Sequence, residues 1–146
     1  MPKFDHDSAN IIQACDDRLI KIFREVIKEY DFKVLCGFRN EADQLKAYKE
    51  KRTKVTWPNS KHNHFPSKAV DVLPRCLIQD GKIDWHNPKP FNELAEVVFT
   101  EAYKQGIHIR WGGDFHMDGS KTKDDAWDLV HFEIIEHKDL GKIKLT

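Results

Sequence analysis

No apolar run in this 146-residue chain is long enough to span a bilayer. The opening residues, Met1-Pro2-Lys3-Phe4-Asp5-His6-Asp7, are charged where a secretory signal carries an apolar segment. Neither charge sign is in surplus: Lys and Arg together number 24, as do Asp and Glu. A net charge of zero argues against binding that rests on attraction to nucleic acid or to an anionic membrane. Cysteines are few and odd in number. Cys15, Cys36 and Cys76 are widely and irregularly spaced, which fits neither a disulfide framework nor a Cys-rich zinc site. They read as small buried apolar residues in a chain made in a reducing compartment. There is no internal repeat and no low-complexity segment, and the length suits one domain over residues 1–146 with a sizeable core.

What is present alternates between helical and extended patterns. Residues 16–30 read as a helix capped by Asp16 or Asp17, with Leu19, Ile22, Phe23, Val26 and Ile27 on one face. A shorter helical turn is expected around Ser8–Ala14. Phe32–Cys36 reads as a strand ended by Gly37. Asn40 is placed to cap a helix from Glu41 to about Lys51, with Leu45, Ala47 and Tyr48 as its apolar contacts. Residues 52–66 read as a loop, and Ala69–Leu73, between Pro66 and Pro74, as a buried strand. Asp80-Gly81 predicts a tight turn, and Asn87-Pro88 another. A strong amphipathic helix follows from about Phe91 to Gln105, stopped by Gly106. Ile107–Trp111 alternates like a strand, with His108 sharing a face with Arg110 and so exposed. Trp111-Gly112-Gly113-Asp114-Phe115 is expected to be a tight turn using unusual glycine backbone angles. Residues 116–127 read as a loop, 128–134 as a second buried strand, and 135–146 as an edge strand or loose tail.

The chemistry gathers in two of these stretches. Ser60-Lys61-His62-Asn63-His64 leads into the strand that carries Asp71. A carboxylate in a buried strand is costly unless something neutralises it. A metal ion with a nearby His as second ligand would do so; a salt-bridged Asp beside exposed histidines is the plainer alternative. His131 lies in the second apolar strand and faces with Leu129 and Glu133, since residues two apart share a face. Two His and one Asp make a three-ligand zinc site with one position open to water, the catalytic arrangement. Asp128, just outside that set, is the expected base. Arg39, between a strand end and a helix start, can point two donors into a cleft, with Gln44 one helical turn beyond it. Asp114 can orient a ligand, bind substrate or cap its turn.

Five segments in order then carry a family resemblance: Gly37-Phe38-Arg39-Asn40 with Gln44; Ser60-Lys61-His62-Asn63 after Arg52-Thr53-Lys54-Val55-Thr56; Pro66-Ser67-Lys68-Ala69-Val70-Asp71; Trp111-Gly112-Gly113-Asp114; and Asp128-Leu129-Val130-His131-Phe132-Glu133. The chain resembles the zinc D-alanyl-D-alanine peptidase family, with its VanY-like carboxypeptidases and hedgehog-type fold, and within it the phage L-alanyl-D-glutamate endopeptidase branch. The resemblance implies an α+β domain whose small antiparallel sheet is packed with helices. It implies zinc held by His62, Asp71 and His131, with Asp128 as the catalytic carboxylate and Arg39 steadying the scissile carbonyl. His64 stands at the family's usual interval before Asp71 and competes with His62; the Ser60-x-His62 order favours His62. His64, Gln44, Ser60, Asp114 and Trp111 are then expected to touch substrate or support the ligands. The implied activity is hydrolysis of an amide in the peptide stem of bacterial peptidoglycan by a monomeric phage lysin. Such a lysin is expected to be made in the host cytoplasm and to reach the wall after membrane permeabilisation, with no membrane anchor and no separate wall-binding domain. A D-alanyl-D-alanine carboxypeptidase and a non-catalytic zinc- or glycan-binding module are the alternatives.

Overall fold

The computed structural model describes residues 2–114, 117 and 128–142. In chain order the helices are α1 (His6–Ile12), α2 (Asp17–Glu29), α3 (Glu41–Lys49) and α4 (Pro88–Gln105). The strands are β1 (Phe32–Cys36), β2 (Ala69–Pro74), β3 (Ile78–Gln79), β4 (Lys82–Ile83), β5 (Ile109–Trp111) and β6 (His131–Ile134). Single 3₁₀ turns occupy Lys61–Asn63 and Arg75–Leu77, and a longer 3₁₀ segment spans His137–Lys142. The main sheet runs β1-β2-β6-β5, every pair antiparallel, and β3-β4 form a separate hairpin. This is the α+β architecture that the family resemblance implies.

The sheet's alternation separates core from site. Val34 pairs with Val72, Val70 with Phe132, Phe132 with Trp111, and Ile109 with Ile134. These residues turn to one face and join Leu19, Ile22, Phe23 and Val26 of α2 and Leu94 and Val98 of α4 in one hydrophobic core. Cys36 pairs with Asp71, Asp71 with His131, and Glu133 with Arg110, so those side chains share the opposite face. A register shift between Val34 and Cys36 brings Cys36 opposite Asp71. Edge strand β1 is blunted from the side by α1: the buried Ser8 hydroxyl accepts the Val34 N–H at 2.9 Å.

Several expectations need correcting. Helix α4 begins at Pro88, not near Phe91: Asn87 caps it through the Lys89 N–H, and Pro88 and Pro90 fall in a first turn that needs no donor from them. On α3, Leu45 and Tyr48 are about half exposed, while Gln44 and Ala47 face inward, because this helix packs over a polar loop rather than the core. Residues Lys61–Asn63 form a 3₁₀ turn within what reads as loop. The last strand starts at His131, since Asp128–Val130 form a turn closed by the His131 N–H to the Asp128 carbonyl at 3.1 Å. After β6 the chain makes a 3₁₀ turn, not an edge strand. Cys15 alone fits the buried-cysteine reading; Cys36 is half-buried and Cys76 exposed. The expected loop over 116–127 falls, apart from Met117, outside the described residues, as do the last four positions.

Candidate active site

The floor of a cleft of about 870 Å³ is built where β1, β2, β6 and the 61–63 turn converge. That turn is fixed locally. The Ser60 hydroxyl accepts the His62 N–H, and the Asn63 side chain accepts the Ser60 N–H, closing a capping box. The turn is zipped to the Gly37-Phe38-Arg39-Asn40 segment: the Arg39 N–H donates to the His62 carbonyl at 2.8 Å and the Asn63 amide to the Arg39 carbonyl at 3.1 Å. His62 is thereby carried into the floor, 3 % exposed, while His64 two residues on is exposed.

His62 and His131 approach Asp71 from two elements, with their rings 5.1 Å apart. His62 Nε2 and His131 Nδ1 each lie 3.2 Å from Asp71 Oδ1. The outer nitrogens are committed elsewhere. His62 Nδ1 donates to the Gly37 carbonyl at 2.7 Å, and His131 Nε2 donates to Glu133 Oε1 at 2.8 Å. A carbonyl and a carboxylate can only accept, so both outer nitrogens carry protons, and the inner nitrogens are the ones turned to Asp71. Such pairing of the distal nitrogen is the usual setting of a metal-binding imidazole.

Electrostatics agree with that reading. Burial alone would disfavour the charged form of each imidazole, but the Asp71 carboxylate overrides it, raising His62 to about 10 and, with Glu133, His131 to about 9. Burial would likewise raise Asp71, yet the two histidines hold it far below the ordinary carboxylate range. A pocket that holds protons on both inner nitrogens around one carboxylate suits a divalent cation in their place. Each inner nitrogen stands 3.2 Å from Asp71 Oδ1, close to the separation of about 3.3 Å between two donors about 2.0 Å from a tetrahedral ion. Two overlapping groups of possible ligands share Asp71, namely Cys36 with His62 and Asp71, and Asp71 with Asp128 and His131.

Asp128 stands beside this cluster, its Oδ2 4.0 Å from His131 Nδ1. Burial and the neighbouring Asp71 charge raise it to about 6, against the pull of His131, His62 and Arg39. Its turn is seated against Gly112: the Asp128 N–H donates to the Gly112 carbonyl at 3.2 Å, and a Cβ on Gly112 would stand 1.8 Å from the Asp128 carbonyl oxygen. A Cβ on Gly113 would meet the Trp111 indole at 2.3 Å. Neither glycine has a positive φ, so close approach, not unusual backbone angles, is what this pair provides. Trp111 is a buried support here: it stacks on Phe132, and its Nε1–H donates to the Leu129 carbonyl at 2.8 Å, which holds the Asp128 turn from behind. Asp114 lies with Trp111 along a second groove against α4, apart from the cluster.

Arg39 lines the cleft and is held at its outer end. Its Nη1 donates to Gln44 Oε1 at 3.0 Å, and its Nη2 lies 3.6 Å from Cys36 Sγ. Gln44 is fully buried; its oxygen also accepts from Asn63, and its amide donates to the Val55 carbonyl at 2.5 Å. Gln44 and Ser60 therefore position Arg39 and His62. Two site residues escape a reading from sequence. Cys36, 3.8 Å from the His62 ring, gave no signal beyond ending a strand before Gly37. Glu133 had one, its shared face with His131, but nothing assigned it a partner.

Comparison with known proteins points the same way. A solved L-Ala D-Glu endopeptidase of Serratia marcescens, ChiX, shares the fold with a TM-score of 0.68, at 22% sequence identity, over 90% of this chain and 89% of that one. Among curated proteins none matches this chain significantly. The match to the phage L-alanyl-D-glutamate peptidases runs over residues 1–135, nearly the whole chain, so this protein belongs to that family and is a peptidase of bacterial peptidoglycan.

Proposed function

We propose that the chain hydrolyses the L-alanyl-D-glutamate bond of the stem peptide as a zinc enzyme, with zinc held by His62 Nε2, Asp71 Oδ1 and His131 Nδ1. The observation that carries this is the pair of imidazoles whose outer nitrogens are already bonded and whose inner nitrogens meet at one Asp71 oxygen. Bound there, zinc supplies a Lewis acid that activates water and polarises the scissile carbonyl. Asp128 accepts the proton of the attacking water and delivers it to the leaving amine. Arg39, braced by Gln44, turns its remaining guanidinium donors to the oxyanion that forms. The basic cleft residues Lys46 and Arg52 suit a substrate that carries free carboxylates.

As a lysin the protein would act alone, as a monomer, and reach the wall after a separate protein permeabilises the membrane. No helix among the described residues is long and apolar enough to cross a membrane. Digestion of purified peptidoglycan tests the bond: new glutamate amino termini are expected, with one zinc per chain by metal analysis. Release of free D-alanine instead would establish the carboxypeptidase reading, and full activity after complete metal removal would overturn the zinc mechanism.

A further inference from the structure

The mechanism leaves one buried charged group unused. Glu133 is 6 % exposed and lies two residues beyond His131 on β6. Its Oε1 accepts from His131 Nε2 at 2.8 Å. Its Oε2 takes two cations, Lys61 Nζ at 3.3 Å and Arg110 Nη2 at 3.4 Å. Lys61 precedes His62 in the 61–63 turn, and its ammonium also donates to the Ile134 carbonyl on β6. Arg110 sits on β5 directly opposite Glu133.

We infer that Glu133 is a positioning residue for both histidines of the metal centre: one oxygen sets the tautomer and basicity of His131, and the other, through Lys61, locks the His62 turn to β6. This rests on the zinc reading above. Three elements, the 61–63 turn, β5 and β6, meet on this one carboxylate. A carboxylate that receives an imidazole N–H makes the opposite nitrogen a stronger donor, and loss of such a partner commonly weakens metal binding about 10–100-fold. The charge has a second effect. With Glu133 neutral, the carboxylate that now stands between a bound dication and the charges of Lys61 and Arg110 would be gone, which disfavours the loaded site further. A core residue that merely filled space would give neither result.

Glu133→Gln separates the two, because an amide oxygen of nearly the same shape still accepts the His131 N–H but carries no charge. The readout is zinc retained by the holoprotein against graded amounts of a chromophoric chelator of known affinity, beside the visible spectrum of the cobalt-substituted protein. Glu133→Gln is expected to hold zinc 10–100-fold more weakly and to alter the cobalt spectrum, and Lys61→Met to weaken zinc by a smaller factor while leaving the His131–Glu133 bond in place. Unchanged zinc retention in both variants would overturn the inference. If Glu133→Gln does not fold, Lys61→Met decides by itself: wild-type zinc retention in it would refute the lock on the His62 turn. Wild-type protein is titrated first. Failure of the wild type to bind zinc would refute the underlying zinc reading, whereas a tight wild type with equally tight variants would refute only the role of Glu133.

Discussion

At the scale of single residues, the site separates groups that hold from groups that react. Asp128→Asn keeps the shape of the turn but cannot accept a proton, so kcat is expected to fall about 10⁴-fold with zinc content unchanged, read by turnover beside metal analysis. Arg39→Ala removes one oxyanion donor and is expected to cost about 10²-fold. A larger loss in Arg39→Ala than in Asp128→Asn would invert the assigned roles. Asp128 must be ionised to act, so activity declines as pH falls through its folded pKa. That value is raised to about 6 by burial and the Asp71 charge, and a bound dication draws it back toward the ordinary value. The acid limb of kcat/KM is therefore expected between about 4 and 6, and to be absent from the residual activity of Asp128→Asn. His62→Ala is expected to lose zinc and His64→Ala to keep it, since His62 is buried against Asp71 and His64 is exposed. From sequence, Asp71, His131 and Asp128 stand out because polar residues in apolar runs demand a reason. His62 and His64 do not separate, because the capping box that aims one of them inward is a property of the turn. Cys36 is silent for a related reason: a cysteine ending a strand looks the same whether it faces core or cleft.

At the scale of elements, the segment from Trp111 to Asp114 acts as a seat. Gly112→Ala places a methyl group where the Asp128 carbonyl oxygen now stands, and backbone on both sides resists the shift. Turnover is expected to collapse toward that of Asp128→Asn while zinc is retained, and near wild-type kcat in Gly112→Ala would show that the turn moves freely. The regular elements were readable where burial and period agree. In α2 the five positions read as its apolar face, Leu19, Ile22, Phe23, Val26 and Ile27, are all buried, and Gly106 ends α4 in the left-handed conformation at φ 68°. On α3 the reading held for the Asn40 cap and Ala47 but failed for Leu45 and Tyr48, which are exposed while Gln44 turns inward. An apolar stripe marks the face that meets a core, and this helix meets a loop through hydrogen bonds instead. It failed again at Asn87-Pro88, because the same dipeptide serves a turn and a helix start, and only the chain beyond tells them apart.

At the scale of the whole molecule, the two ends of the described chain are tied together by charge. Arg18 at the start of α2 grips both Asp16 and Glu136, and Lys68 before β2 reaches Glu136 at 3.3 Å. The Arg18 hydrogen bond, with Lys68, outweighs desolvation and lowers Glu136 to about 2. Because this pKa lies below its unfolded value, the contribution is complete above about pH 4.5 and is lost as pH falls through 2. Glu136→Gln is expected to lower Tm by about 2–4 °C at neutral pH, from about 1 kcal/mol for such partly exposed pairs. The difference from wild type should vanish near pH 2, and a constant difference across that range would discount the ion pairs. The strand order β1-β2-β6-β5 was not deducible from periodicity, which marks strands but not their neighbours. What brought Asp71 and His131 into one site in the reading was the need of the buried Asp71 for a partner.

The three donors His62, Asp71 and His131 arrive on a 3₁₀ turn, β2 and β6, and meet only once the sheet is assembled. An unfolded chain has no such site to offer, so on the proposed zinc reading the metal would bind the native state and shift the folding equilibrium by mass action. At free zinc 100-fold above its dissociation constant that shift is about 2.7 kcal/mol. If zinc is that metal, its ambient level would set how long this protein survives as well as how fast it cuts, and in a zinc-starved medium the apo chain would be lost to unfolding and proteolysis sooner than the loaded one.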